Sequence, residues 1–219
     1  MQQQKKLTSY QKILKSATKT FAKKGYNGTS VSSIMKAAGL TGGALYCHFK
    51  TKEHLAREII NLFEDKFLKN MIAFVENKGG SPLSRIENMI RYNIAFAGEN
   101  PELCLFMTLI SAEMCGSGER LESHIKAVYK KWRYFITEIL EEGKQIGEFQ
   151  QGINSSMLAL VVMGVHDGVL LHLKMNRDIT DLASYTRHFR YLLLYGVKGQ
   201  EWAGIGRESV NSSLKRKKT

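Results

Sequence analysis

The stretch that decides the fold is residues 29–55, TSVSSIMKAAGLTGGALYCHFKTKEHL. Ser30 stands where an N-cap belongs, ahead of a short helix over about 31–38 whose inward residues read as Ile34, Ala37 and Ala38. Ser33 occupies the place where a capping box prefers Glu or Gln, so that cap is half made. Gly39 supplies the left-handed residue that ends the helix, and Leu40 covers the turn. Thr41 then N-caps a second helix, expected from Gly42 to about His48. Two crossed helices joined by so tight a turn make a helix-turn-helix, whose second helix enters the major groove from its N-terminal end. Gly42, Gly43 and Ala44 lie at that end, where backbone N–H groups can approach phosphates and base edges. By pattern alone, a helical hairpin in an ordinary core fits the same residues.

Charge narrows the choice. Residues 1–60 hold eleven Lys and Arg against two acidic residues, a net of +9, whereas 61–206 hold sixteen against seventeen, a net of −1. Residues 207–219 hold five against one, a net of +4, so the chain's +12 is concentrated at its two ends. A basic N-terminal module on a neutral body is the electrostatic footprint of a phosphate-binding surface. A membrane surface would also attract these lysines, but no bulky, Trp-rich apolar face accompanies them. A solvated lysine face does not explain why the excess gathers beside the helix-turn-helix.

Ile13, Ala17, Phe21, Gly25-Tyr26, Thr29-Ser30, Ile34, Ala38-Gly39-Leu40-Thr41, Gly43, Leu45-Tyr46, His48-Phe49, Lys52 and Leu55 run without a gap over about residues 10–56. In these positions the chain resembles the DNA-binding domain of the tetracycline-repressor (TetR) family of bacterial regulators, with Leu-Tyr-x-His-Phe and its downstream lysine as the specific core. The resemblance implies a phosphate contact at Ser30 beside Thr29, and at Tyr46 a contact spanning a phosphate and a thymine methyl. It also implies phosphate clamps at His48 and Lys52, with Lys52 in the first turn of a helix capped by Thr51. Cys47 lies inside the same recognition helix. The sequence departs from the family pattern at Val31, where a base-reading arginine can stand. Gly42, Gly43 and Ala44 offer no side-chain hydrogen bonds, so bidentate base readout is unavailable there. Specificity is expected instead from Thr41, from methyl contacts of Ala44 and Tyr46, and from DNA shape.

The fold class expected is all-α: an N-terminal three-helix helix-turn-helix domain over 1–56, a helical effector-binding and dimerisation domain over 57–196, and a disordered basic tail over 197–219. With 219 residues, two prolines and no β-alternation, the chain can bury a sizeable helical core. Three cysteines without a signal peptide suit a reducing cytoplasm. No uninterrupted apolar run reaches the length of a membrane span, so no membrane partner is expected.

Helix-boundary signals lay out the body. A long helix is expected from about Lys52 to Asn77, with Leu55, Ile59, Leu62, Phe63, Phe67 and Met71 inward and Gly79-Gly80 ending it. Ser81-Pro82 opens the next and Asn100-Pro101 repeats the device. Further helices are read over about 119–146, from Asn154 or Ser155 to Met175, and from Thr180 or Asp181 to Tyr195. Residues 157–173, MLALVVMGVHDGVLLHL, are apolar nearly all round, and Gly164 and Gly168 permit close helix approach. With Phe189, Leu192 and Leu193 they form the expected dimer interface, since by resemblance the last two helices pair with their symmetry mates. A symmetric dimer in turn predicts a palindromic operator on double-stranded DNA.

The resemblance also implies a cavity in the body for a small-molecule effector. Tyr92, Phe96, Met107 and Trp132 are its candidate apolar lining, and Glu113 and His166 its candidate polar contacts. Glu113 facing inward would suit a cationic ligand. His166-Asp167, adjacent on a helix, reads as poor geometry for a catalytic dyad. No metal-ligand spacing, phosphate-cradling loop or nucleophile elbow stands out, so no cofactor, metal or catalytic residue is expected. A non-specific nucleic-acid-binding protein and a helical enzyme are the alternatives to a repressor released by its ligand.

Overall fold

The computed structural model describes residues 8–175 and 182–198, and these contain helices and no strand. Helix α1 (Ser9–Lys24) starts at a complete capping box, in which Thr8 accepts from the Gln11 N–H and Gln11 accepts from the Thr8 N–H. Two short helices follow, α2 (Val31–Ala38) and α3 (Gly43–Tyr46), before α4 (Lys52–Phe63). A π-helical segment (Glu64–Lys69) joins α4 to α5 (Asn70–Lys78), so the long helix expected from Lys52 exists but is not regular throughout. The body is completed by α6 (Pro82–Glu99), α7 (Pro101–Met114), α8 (Arg120–Gln145), α9 (Ser155–Met175) and α10 (Leu182–Lys198).

The boundaries follow local chemistry. Ser81 caps α6 through the Ser84 N–H, with Pro82 at the first helical position; Pro101 likewise stands at the start of α7, where the Asn100 side chain makes no cap bond. Gly39 ends α2 with φ 66° and ψ 35°, the left-handed geometry its position called for. Within the π segment adjacent Phe67 and Leu68 are both buried, and Phe67 lies at the centre of the body's aromatic core.

One continuous core runs through both halves, from Ile13, Phe21, Ile34, Leu45 and Phe49 at the N-terminal end to Phe67, Phe106, Trp132 and Ile136 in the body. Helix α7 packs against α1, α4, α6, α8 and α9, which makes it the strut between the halves. By length and composition Ser155–His172 is apolar enough to cross a bilayer, which the shorter uninterrupted runs in the sequence do not reveal. Here it packs against α7 and α8 and carries Asp167 into their polar contacts.

Two expectations need correction. In α2 the buried residues are Ile34 and Met35, while Ala37 is exposed: the helix is rotated so that the longer side chain fills the core. Helix α10 runs to Lys198 with Val197 buried, so the tail cannot begin at 197. Residues 1–7, where Lys5 and Lys6 before the first helix are expected to add DNA-backbone contacts, residues 176–181, with the Thr180 or Asp181 cap, and residues 199–219, with the basic tail, lie outside the described residues.

Candidate nucleic-acid interface and effector core

Helix α3 has four residues, far too few to be stable in isolation. It is held by its anchors. Leu45 and Phe49 are fully buried, and Phe49 stacks on Tyr10 with ring centroids 5.0 Å apart. Burying each such side chain is worth about 1.5–3 kcal/mol. The Tyr10 hydroxyl donates to Glu58, and its ring meets His48 edge-on at 6.0 Å, so α1, α3 and α4 fix one another. Thr51 caps α4 by accepting from the His54 N–H, and His54 Nδ1 in turn accepts the Lys50 N–H.

With those anchors inside, Ser30, Thr41, Gly42, Gly43, Tyr46, Cys47 and His48 face solvent, and Ala44 is half-buried. Tyr46 is 64% exposed, an unusual position for an aromatic ring, and none of the described residues covers it. Ser30 caps α2 by accepting from Ser33 N–H. Thr41 provides no side-chain cap: the residue before α3 is Gly42, and only the Thr41 carbonyl takes part, accepting from Ala44 N–H. That frees the Thr41 hydroxyl at the surface. Neither Gly42 nor Gly43 has a positive φ, and a Cβ on either would meet nothing within 4 Å. Neither backbone conformation nor internal packing therefore requires glycine at these two positions.

Thr29 and Lys52 differ from the surface contacts expected of them. Thr29 is 2% exposed and donates to the Gly25 carbonyl at 2.7 Å. The Lys52 ammonium donates to the carbonyls of Tyr26 and Thr29 at 3.0 and 3.1 Å and lies 4.2 Å from the centre of the Tyr26 ring. Both residues build the loop that presents Ser30, because closing that turn leaves inward carbonyls that need donors.

Glu113 is also corrected. It does not face the interior of the body: its two carboxylate oxygens accept the N–H groups of Tyr26 and Asn27, at 3.0 and 2.7 Å. A Cβ on Gly25, whose φ is 76°, would lie 2.1 Å from Glu113 Oε1, so this loop needs glycine both for its backbone and for the carboxylate's approach. The same junction carries a ring contact between Phe21 and Phe106, a bond from Lys174 to the Ala22 carbonyl and a Lys19–Glu102 ion pair.

Inside the body, Phe67 is the hub. Its ring lies 5.1 Å from Phe96 and Trp132, 6.0 Å from His166 and 6.3 Å from Tyr92, so four of the six candidate effector residues meet around it. Met107 is buried on α7. Beside this cluster the Asp167 carboxylate accepts from Thr108 and Tyr129 and lies 3.4 Å from His166 Nδ1. Adjacent His166 and Asp167 thus do meet, contrary to the helical-wheel expectation. Burial, with Asp167 adding to it, pushes the Tyr129 phenol upward and keeps it a donor. Phe67 and Asp167 were hidden because an inward phenylalanine reads as filler, and a mid-helix aspartate shows its partners only once α7 and α8 are in place.

On α9 the exposed apolar residues Met157, Leu160 and Val161, with Gly164, recur at helical spacing, and Tyr191 and Leu192 are exposed on α10. Leu192 is 70% exposed, whereas Leu193 is buried and Phe189 packs partly against the chain's own core. Gly168 is half-buried. Of the residues expected at a dimer interface, Leu193 belongs instead to the monomer core, since Leu193 and Val197 share the inward face of α10.

A short, exposed recognition helix seated on a three-helix base and strutted to a helical body defines a DNA-binding regulator of the helix-turn-helix class. Residues 13–59 match the family model of bacterial regulatory proteins of the tetR family, and residues 82–189 match the tetracyclin repressor-like C-terminal domain. The chain belongs to the TetR family of bacterial regulatory proteins and is a DNA-binding transcriptional regulator. It is 26% identical over 195 residues to the fatty acid metabolism regulator protein of Bacillus subtilis, covering 88% of this chain and 97% of that one. The MbdR regulator of Azoarcus sp. CIB superposes with a TM-score of 0.79 at 27% identity, over 87% and 99% of the two chains. FadR of B. subtilis in complex with stearoyl-CoA shares the fold, with a TM-score of 0.73 at 24% identity, over 86% and 99%.

Proposed function

We propose that the chain is a homodimeric repressor that grips a palindromic operator and releases it when an acyl ligand enters the core around Phe67. The observation that carries the DNA half of this reading is the uncovered row of Ser30, Thr41, Gly42, Gly43, Tyr46 and His48 over a fully buried Leu45–Phe49 anchor. Hydroxyl, imidazole and helix N-terminus are phosphate-binding groups, and the open approach at Gly42 and Gly43 suits close contact with the duplex. The apolar face of α9 and α10 supports pairing with a second copy of the chain, because an exposed row containing Met157, Val161 and Leu192 is costly in water. The acyl ligand rests on the relative that regulates fatty acid metabolism and on the stearoyl-CoA held by a protein of the same fold.

Release requires the ligand to favour one of two arrangements of the body relative to the DNA-binding helices. Helix α7 is suited to carry that difference. Its Thr108 is bonded to Asp167 beside the aromatic core, and less than two turns further on Glu113 grips the loop that ends at Ser30. Moving α7 along its axis would strain or break the Glu113 bonds and shift Ser30 and α4 together. A rigid duplex tolerates little change in the spacing of two recognition helices.

Size-exclusion chromatography with light scattering, beside operator binding with and without palmitoyl-CoA, tests the reading. A dimer that loses its operator on adding the thioester is expected, with Val161→Glu/Leu192→Glu monomeric and at least a hundredfold weaker on DNA. A monomer that binds a half-site with full affinity, or a dimer indifferent to palmitoyl-CoA at saturating concentration, would overturn it.

A further inference from the structure

Three buried polar atoms facing the core of the body have no hydrogen-bond partner among the described residues: Trp132 Nε1 on α8, His166 Nε2 on α9 and Asn93 Oδ1 on α6. Such groups are rare in native proteins, because each left bare forfeits a hydrogen bond it had in water. These three are not scattered. The Trp132 and His166 rings are 5.0 Å apart, both rings border Phe67, and Asn93 lies three residues from Phe96 on the inward face of α6. Phenylalanine in place of Trp132 would leave no bare N–H, so the indole adds a donor that none of the described residues uses.

The neighbouring polar groups sharpen the chemistry. Asp167 is occupied by Thr108 and Tyr129 and has His166 Nδ1 at 3.4 Å, so it is not an open receptor for a cation. With Glu113 turned toward the Tyr26–Asn27 loop, the core has no free carboxylate among these groups. What it offers is an indole N–H, which can only donate, and an imidazole nitrogen, both set in aromatic walls. A ligand that matches is apolar over most of its surface and carries an oxygen that accepts a hydrogen bond.

We infer that the Trp132 N–H, with the His166 ring as the wall beside it, is the polar anchor for the carbonyl oxygen of an acyl group, fixing how deep the acyl chain enters the Phe67 core. The inference rests on the acyl reading given above and adds the anchoring residues and the functional group they read. Nothing covalent is involved. The anchor supplies selectivity, because a site built around a buried donor loses that bond with a ligand lacking the acceptor, whereas a purely apolar pocket is nearly indifferent to it.

The test compares octanoyl-CoA and palmitoyl-CoA with the corresponding S-alkyl-CoA thioethers, which keep chain and nucleotide but lack the carbonyl. Affinities are measured by calorimetry on the full-length protein, wild type and Trp132→Phe. Wild type is expected to favour the thioester by about tenfold, the scale of one buried hydrogen bond, and Trp132→Phe to remove most of that preference. The ratio is read within each protein, so a packing defect in the variant moves both ligands alike. Should Trp132→Phe fold poorly, the wild-type ratio can still overturn the anchor. Equal affinity for thioester and thioether in wild type would overturn the anchor while leaving the acyl reading intact. Failure of all four compounds to bind would overturn both.

Discussion

Replacing Gly43 by alanine should make the protein more stable and a worse DNA binder, and the two opposite signs together test the role of the recognition helix. A Cβ at residue 43 meets nothing within 4 Å, and its φ is not positive, so the folded chain has room for the methyl group. Glycine in a helix costs about 0.5–1 kcal/mol relative to alanine. At about 2–4 °C per kcal/mol for a chain of this size, Tm should rise by about 1–4 °C. On DNA the methyl group stands between the end of α3 and the duplex. Losing one N–H contact to a phosphate costs about 1.5–2 kcal/mol per subunit, so a dimer using both sites loses about 3–4 kcal/mol. At 1.4 kcal/mol per decade that is roughly a hundredfold or more in Kd. Fluorescence anisotropy on a labelled operator and differential scanning calorimetry on the same preparations read both numbers. Unchanged affinity would show that DNA does not approach this end of α3, and a fall in Tm would show that the glycine serves the fold.

Other consequences follow from particular contacts. Glu113→Gln keeps a side chain that can accept from only one of the Tyr26 and Asn27 N–H groups at full strength, so operator release should need several-fold more ligand while ligand affinity itself stays within twofold. Equal release curves for the two proteins would remove Glu113 from the coupling. Lys126, with the N–H groups of Gly116 and Gly118, holds the Glu122 carboxyl down at about 2, from an ordinary value of 4.5. A carboxyl depressed in the folded state stabilises it above the unfolded pKa, and that stability is lost as pH falls from about 4.5 toward 2. Thermal melts of Glu122→Gln should therefore show a shallower decline across that range than wild type. Burial pushes the Cys104 thiol up to about 12, while Cys47 and Cys115 are exposed, so a thiol reagent should label two cysteines of the native protein quickly and Cys104 only on unfolding.

Sequence patterns revealed elements whose chemistry is local. Ser81-Pro82, Asn100-Pro101 and Gly39 end or begin helices through bonds to their near neighbours, and each stands where the pattern put it. The recognition segment was legible for the same reason, although Thr41 turned out to leave the capping to Gly42. What the sequence hid depends on long-range partners. Glu113 meets residues 86 and 87 positions away, and Lys52 reaches back to carbonyls 23 and 26 residues earlier. Nothing in the residues of Glu64–Lys69 separates a π turn from a regular α-helix, so that segment was not legible in the sequence. Leu192 and Leu193 are indistinguishable by composition, and only the packing of α10 on α6 determines which one faces out.

The central claim, that α3 reads one operator, is tested most directly by binding the purified protein to DNA upstream of its own gene beside unrelated DNA of equal length. Wild type and Tyr46→Ala are compared across a salt series. The account predicts tight binding of one dimer to a single site, weakening with salt as phosphate contacts require, and lost or reduced at least tenfold in the variant. Equal binding of both DNAs with the same salt slope, or no binding even at low salt, would contradict it.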